Sequence, residues 1–327
     1  MRYYTNKEGC VKMEKGVMLV GEPLGLFIAQ SEGALDTVSG YSCAVAGAEF
    51  NVAVGLSRLS HKLGYLTKLG KDPFGKRIVK VMEENKIGTD LITWSEERTT
   101  GFMLKSRVST GDPDIFYFRK NSAASTLSKD DIDKVDFSGY RYLHMTGIFP
   151  ALSSCTREAA FYLIDRAREN GVTISFDPNL RPQLWNSKEE MITTINSLAA
   201  KSDIVFPGIA EGKILTGSDD PATIANFYLK SGVKSVVIKL GAKGAYVAEG
   251  TECYVVNGYK AEPVVDTVGA GDGFAAGTIS ALMEGLPLIQ AAQRGNAIGA
   301  IQVMSRGDND GLPSREALAA FMGKINL

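Results

Sequence analysis

Four glycines surround two aspartates in "DTVGAGDGFAAG", residues 266 to 277, where an apolar helical run begins. Gly269, Ala270 and Gly271 let the backbone turn tightly and aim successive N–H groups at one point, and a helix starting near Asp272 adds its positive end. Such a place holds an anion. A carboxylate there would oppose a bound phosphate if binding were its only task, but it makes sense as a proton acceptor. In phosphoryl transfer a hydroxyl loses a proton while negative charge spreads over the transferring group. Asp272 as base and residues 269 to 271 as anion hole would meet both needs. The same spacing also fits a structural helix start, with glycines for close packing and Asp272 as a first-turn acid, and spacing alone does not choose between the two.

Two other phosphate patterns fail on inspection. Gly271, Gly273 and Ala276 fit G-x-G-x-x-A, yet no acid lies between Glu284 and Asp308, where a dinucleotide fold would place its ribose ligand. "GKDPFGKR", Gly70 to Arg77, has Arg77 where a Walker loop needs a magnesium-binding hydroxyl. Pro73 there reads instead as a helix entry with Asp72 as its cap.

The elements that must position these residues fit a chain of 327 residues, long enough for two domains or one large α/β unit. The net charge of −1 gives no field that would draw nucleic acid or an anionic membrane. Four scattered cysteines, Cys10, Cys43, Cys155 and Cys253, form no C-x-x-C pair, which argues against a disulfide framework or zinc site and suits a reducing cytoplasm. Two histidines leave little material for His-based chemistry; His61 reads as a helix-surface residue and His144 as a strand-end residue. The apolar run "GVMLVGEPLGLFIA" is broken by Glu22 and Pro23, so neither a membrane span nor an export signal is expected.

Residues 1 to 15 read as a loose extension before a first strand, "VMLVG". "LFIAQ", "TTGFMLKSRV" and "DIFYFRK" read as a small β-element apart from the main sheet, with "VSTGDPD" as an exposed turn between two of its strands. From about residue 140 the runs "YRYLHM", "VTISF", "DIVF" and "SVVIKL" alternate with helical stretches at 153 to 170 and 187 to 200, which predicts parallel strands with crossover helices. Ser153 or Ser154 caps the first of these helices and Gly171 stops it.

These residues resemble the signature of ribokinase-like, or PfkB-type, carbohydrate kinases. "AGAEFNVAVGLSRL", "GKDPFG" and "VIKLGAKGAY" match further motifs of that family in its order. Within it, "FYFRKNSAAS", "HMTGIFPALS", "SFDPNLRPQLW" and "SRGDNDGLPSREAL" resemble the 2-keto-3-deoxygluconate kinase branch. The resemblance implies a single kinase domain over 17–325: a three-layer α/β/α sandwich with a mostly parallel central sheet, and a small β-sheet lid from about 24–45 and 97–122. It implies magnesium-dependent transfer from ATP, with Asp272 as general base and Gly269, Ala270 and Gly271 as anion hole. By position, Lys239, Gly241 and Gly244 border the nucleotide, Asn296 lies near adenine, and Glu211 acts on magnesium through water. A monovalent cation such as K+ is left open near Asp266 and the "SRGDND" loop. Two positions depart from relatives: Gly208 stands where many have Asn, and Leu26 falls where ribokinases and many fructokinases carry a sugar-gripping Asp.

A sugar acid needs a cation opposite its reacting hydroxyl, and an arginine fork can bind a carboxylate by two hydrogen bonds. Arg119 shares a strand face with Tyr117, and Arg181 follows a strand end, where open α/β sheets place ligands. Each alone also reads as a solvated or ion-paired arginine; together, within the matching motifs, they are expected on substrate. Gly47, Ala48 and Asn51 are expected to line the sugar site, Asn51 through an amide that both donates and accepts. The alternatives are a fructokinase or another sugar kinase of the family, and a sugar-binding protein that keeps the fold without catalysis. Pairing of two lids would cover their edges and make a homo-oligomer.

Overall fold

In the strand Gly16–Val20 every residue is buried, with Val17 and Leu19 in one apolar cluster and Met18 and Val20 in another. A strand buried on both faces needs cover on both sides. The computed structural model, which describes residues 3–5, 11–13, 15–108 and 113–323, supplies it. Helices Ala48–Arg58, Pro73–Glu84, Ala270–Met283 and Leu288–Gln302 cover one face of a central sheet; Ser154–Glu169, Lys188–Ala200 and Pro221–Lys230 cover the other.

That sheet has nine strands, running from one edge as Glu252–Asn257, Gly244–Glu249, Ser235–Lys239, Ile204–Val205, Thr173–Asp177, Tyr140–Thr146, Gly16–Val20, Leu63–Gly70 and Ile92–Ser95. The last seven are parallel, and an antiparallel hairpin adds the first two. The predicted strands from residue 140 onward are present in register, each joined to the next by a crossover helix as far as Ser235–Lys239. Ser153 caps the first of those helices by accepting a hydrogen bond from Thr156 N at 3.1 Å.

A second sheet orders Tyr41–Ala46, Leu24–Glu32, Phe102–Arg107 and Ile115–Phe118, its outer pairs antiparallel and its central pair parallel. It rests on the body through aromatic rings: Phe102, stacked within the sheet on Phe118 at 4.6 Å, stacks on Phe74 of the body at 5.4 Å. Phe74 lies in the first turn of the helix capped by Asp72, whose Oδ1 accepts from Phe74 N and Gly75 N, both at 2.9 Å, and whose Oδ2 accepts from Thr100 N at 2.7 Å. The Walker-like segment is thus a helix cap that also holds the chain entering the second sheet.

Of residues 1–15, Tyr3–Thr5 and Val11–Met13 pair as a two-stranded antiparallel sheet. The remainder up to residue 14, residues 109–112 of the "VSTGDPD" turn and residues 324–327 lie outside the described residues. No helix among the described residues is long and apolar enough to cross a membrane. Both histidines differ from their sequence reading. His61 is buried against Ser280 Oγ at 2.8 Å, and His144 lies fully buried inside its strand against Ser175 Oγ at 3.0 Å. Burial lowers their pKa values to about 4 and about 3, so both rings are neutral at pH 7.

Candidate active site

The carboxyl ends of the parallel strands converge on one place, as expected for an open α/β sheet. Glu22 follows Gly16–Val20, Asp177 ends Thr173–Asp177 with Arg181 just beyond it, and Lys239 ends Ser235–Lys239. All but Asp177 line a cavity of about 480 Å³ together with the start of helix Ala270–Met283 and Tyr117 and Ile115 from the small sheet.

Gly269 caps that helix with φ +78°, a left-handed conformation that favours glycine, and a Cβ there would lie 2.1 Å from the Asp308 carbonyl oxygen. At Gly271 a Cβ would meet only Lys239 Nζ, 3.7 Å away, so the turn stays open towards the lysine. First-turn amides have no acceptor within their own helix. Ala270 N makes a long bond, 3.4 Å, to Thr267 O.

Asp272 is half-buried on the first turn and accepts a hydrogen bond from Asn51 Nδ2 at 2.8 Å. Asn309 Nδ2 donates to Asn51 Oδ1 at 2.9 Å, which sets the Asn51 amide so that its N–H faces the carboxylate. Arg58 Nη1 in turn holds the carbonyls of Asn309 and Leu312 at 3.0 and 2.6 Å. Burial pushes the Asp272 pKa up to about 7, against the Asn51 bond and with the help of the Asp177 charge.

Lys239 Nζ pairs with Asp177 Oδ2 at 2.6 Å. Burial opposes its charge, but Asp177, Glu211 and Asp272 outweigh that and hold its pKa above the ordinary lysine value. Glu211 Oε1 accepts from Leu180 N at 2.9 Å and Oε2 from Gly208 N at 2.7 Å. Its carboxylate is therefore fixed by two amides and can still accept from water.

The two arginines differ in state. Arg119 is buried, and Glu22 Oε2 accepts from its Nε at 2.7 Å and its Nη2 at 2.6 Å, leaving Nη1 as the nitrogen not engaged by Glu22. Arg181 has no carboxylate partner among the described residues; its Nη1 rests on the Leu180 carbonyl at 2.9 Å. Gly47 starts the helix carrying Asn51 with φ +139°, and a Cβ there would stand 2.9 Å from Glu22 O.

A second cavity of about 700 Å³ adjoins the first across Lys239 and Gly271, which line both. Gly241, Gly244, Ala270 and Asn296 line it with Phe274 and Tyr259. Asn296 donates its amide N–H groups to the carbonyls of Val256 and Asn257, both at 3.1 Å, which leaves its Oδ1 to accept.

The profile of the pfkB family carbohydrate kinases matches residues 14–315. The chain belongs to that family. It is 47% identical over 95% of its length, and 96% of the relative's, to a 2-dehydro-3-deoxygluconokinase of Bacillus subtilis (strain 168). Among solved structures it resembles a PfkB protein from Polaromonas sp. JS666, with TM-score 0.87 and 42% identity over 94% of this chain and 99% of that one. It also resembles a fructokinase double mutant from Vibrio cholerae O395 in its fructose-, ADP- and potassium-bound form, with TM-score 0.83 and 26% identity over 94% and 98% of the two chains.

In this carbohydrate kinase the residues expected around a sugar, Gly47, Ala48, Asn51, Tyr117, Arg119, Arg181 and Asp272, all line the smaller cavity, with Glu211 at its wall. Of those expected around a nucleotide, Lys239, Gly241, Gly244, Gly271 and Asn296 line the larger one, while Gly269 lines only the smaller. Leu26, at the position of the sugar-gripping Asp, is buried in the small sheet's apolar cluster. The sequence reading missed three partners: Glu22 on Arg119, Asp177 on Lys239, and Lys105, which reaches Asp266 and Asp308. Asp177 had a usable signal, an acid at a parallel-strand end; the other two pairs had none.

Proposed function

We propose that the chain transfers the terminal phosphoryl group of ATP to the 6-hydroxyl of 2-keto-3-deoxygluconate, giving 2-keto-3-deoxy-6-phosphogluconate. The observation that carries this reading is the seat of Asp272, on a helix N-terminus beside the seam of two cavities, with Arg181, which has no carboxylate partner among the described residues, in the smaller one. The relationship to the Bacillus subtilis 2-dehydro-3-deoxygluconokinase supports the same acceptor.

In this reading ATP occupies the larger cavity, with adenine near Asn296 Oδ1 and its phosphates towards Lys239 and the amides of residues 269 to 271. The sugar acid lies in the smaller one, its carboxylate on Arg181 and the free edge of Arg119, with Tyr117 and Gly47 shaping the space between. Asn51 holds Asp272 against the acceptor hydroxyl. Asp272 takes the hydroxyl proton as the oxygen attacks the terminal phosphorus, and the helix-start amides receive the charge that develops. Magnesium bound with ATP would neutralise phosphate charge, and Glu211, both of whose oxygens already accept amide N–H groups, would hold it through water. Potassium fits less well: Asp266 and Asp308 near its expected place already hold the Lys105 ammonium.

The edge strand Ile115–Phe118 exposes Phe116 and Phe118, which suits pairing of two small sheets in a homo-oligomer. A cytoplasmic location agrees with the use of ATP and with free Cys43, Cys155 and Cys253.

A coupled ADP-release assay across 2-keto-3-deoxygluconate, gluconate, fructose and ribose tests the reading: the keto-deoxy acid should give the highest kcat/KM, and preference for fructose would replace it with the fructokinase alternative. The pH profile adds a second check. Below about 7 Asp272 is protonated and cannot accept the hydroxyl proton, so kcat/KM should fall about tenfold per pH unit there and level off above. A flat profile down to pH 5.5 would remove Asp272 as the base.

A further inference from the structure

Lys105 leaves the small sheet from the strand Phe102–Arg107 and runs inward, its side chain only 6% exposed. Its Nζ lies 2.8 Å from Asp308 Oδ1 and 3.4 Å from Asp266 Oδ2, and those acids are 7% and 17% exposed. A lysine this buried is tolerated only where opposite charge surrounds it, and here two acids from separate segments do so.

Both segments abut the start of the anion-binding turn. The other oxygen of Asp266, Oδ1, accepts from Val268 N at 3.0 Å, one residue before Gly269. The Asp308 carbonyl is the atom against which Gly269 packs so closely that no Cβ fits. Gln302 stitches the same two segments, its Nε2 donating to Val268 O at 3.3 Å and Gly307 O at 2.8 Å. The ammonium therefore sits at the junction that sets where Gly269 and the following amides point.

A potassium ion at this junction would need the oxygens that already accept from the ammonium, and it would face a like charge a few ångströms away. An ammonium group carries the same single charge and donates where the ion would coordinate. We propose that Lys105 is a built-in monovalent cation: a positioning residue that holds the anion-binding turn, so that this kinase works without potassium. Unlike a free ion, the charge is tethered to the small sheet and ties that sheet to the catalytic helix. This inference rests on the phosphotransfer reading, so its test is arranged to separate the two.

ADP release and thermal melting would be measured for wild type and for Lys105→Met in KCl, NH4Cl, NaCl and choline chloride at equal ionic strength. The wild-type rate should vary by less than about twofold, as screening alone would give, and its melting temperature should not respond to K+. In choline, Lys105→Met should lose up to about 100-fold in kcat through a displaced turn, with KCl or NH4Cl restoring much of the rate and raising the melting temperature. Three results would overturn the proposal: wild type that needs K+, Lys105→Met fully active in choline, or a folded, impaired Lys105→Met that no small cation restores. If wild type turns over no sugar in any salt, the phosphotransfer reading fails, and the melting curves still decide the cation claim: stabilisation of Lys105→Met alone by K+ supports it, and stabilisation of wild type overturns it.

Discussion

Replacing Asp272 by Asn is expected to leave ATP affinity nearly unchanged and to lower turnover by at least about a hundredfold, the range for a lost general base. Asparagine keeps the shape and can still accept from Asn51 Nδ2, now at 2.8 Å from the carboxylate oxygen, so the helix start stays in place. What disappears is the group able to take a proton near neutral pH. The same exchange should stabilise the protein. Asp272 binds its proton more tightly in the folded chain than in the unfolded one, so folding stability falls as pH rises from about 4 to about 7 and is flat above. At pH 8 the wild type carries the whole cost, which is about 1–3 kcal/mol once the half-buried tip is allowed for. Asp272→Asn should therefore melt above wild type at pH 8, and the gap should close towards pH 4. Turnover at the wild-type rate, or a lower melting temperature at pH 8, would count against the assignment.

The second large effect separates the arginines. Removing Arg181 breaks no carboxylate ion pair among the described residues, where its Nη1 rests on the backbone carbonyls of Asn179 and Leu180. Arg181→Ala should then weaken the sugar acid by about 10- to 100-fold, the loss of a charged hydrogen bond, while a neutral sugar and the melting temperature barely change. Arg119→Ala instead leaves Glu22 buried at 2% exposure and unpaired. Its main consequence should be a stability loss of about 3–5 kcal/mol, visible in thermal melting before any question of affinity. Equal losses for acid and neutral acceptors in Arg181→Ala would remove the carboxylate role.

The contrast between those arginines marks what could be read from the chain. The helix start at 269 to 272 and the strand end before Arg181 show in local glycine and strand patterns, but the chemistry assigned to them, and the placing of Asn51 and Lys239, came from the matching family motifs and not from spacing. The layered body was legible from local pattern, since buried parallel strands and capped helices alternate from residue 140. The pairing of Arg119 with Glu22 spans 97 residues, and Lys105 reaches Asp266 and Asp308 across 161 and 203. No periodicity encodes which charge meets which across such distances; only the folding of the small sheet onto the body brings them together. His61 and His144 lie deeper than their residue type suggests: each meets a serine hydroxyl inside the core, His61 through Nε2 and His144 through Nδ1, while His144 Nε2 stays buried without a partner among the described residues.

That Lys239 and Gly271 line both cavities has a bearing on inhibitor design. If the two cavities take sugar acid and nucleotide as proposed, an aldonic acid tethered through a short phosphate bridge to adenosine would meet both at once, with the second contact made at the high effective concentration that a short linker confers. Such a bisubstrate ligand would gain discrimination from the arginine end against other enzymes that bind the same nucleotide, without having to reshape the protein.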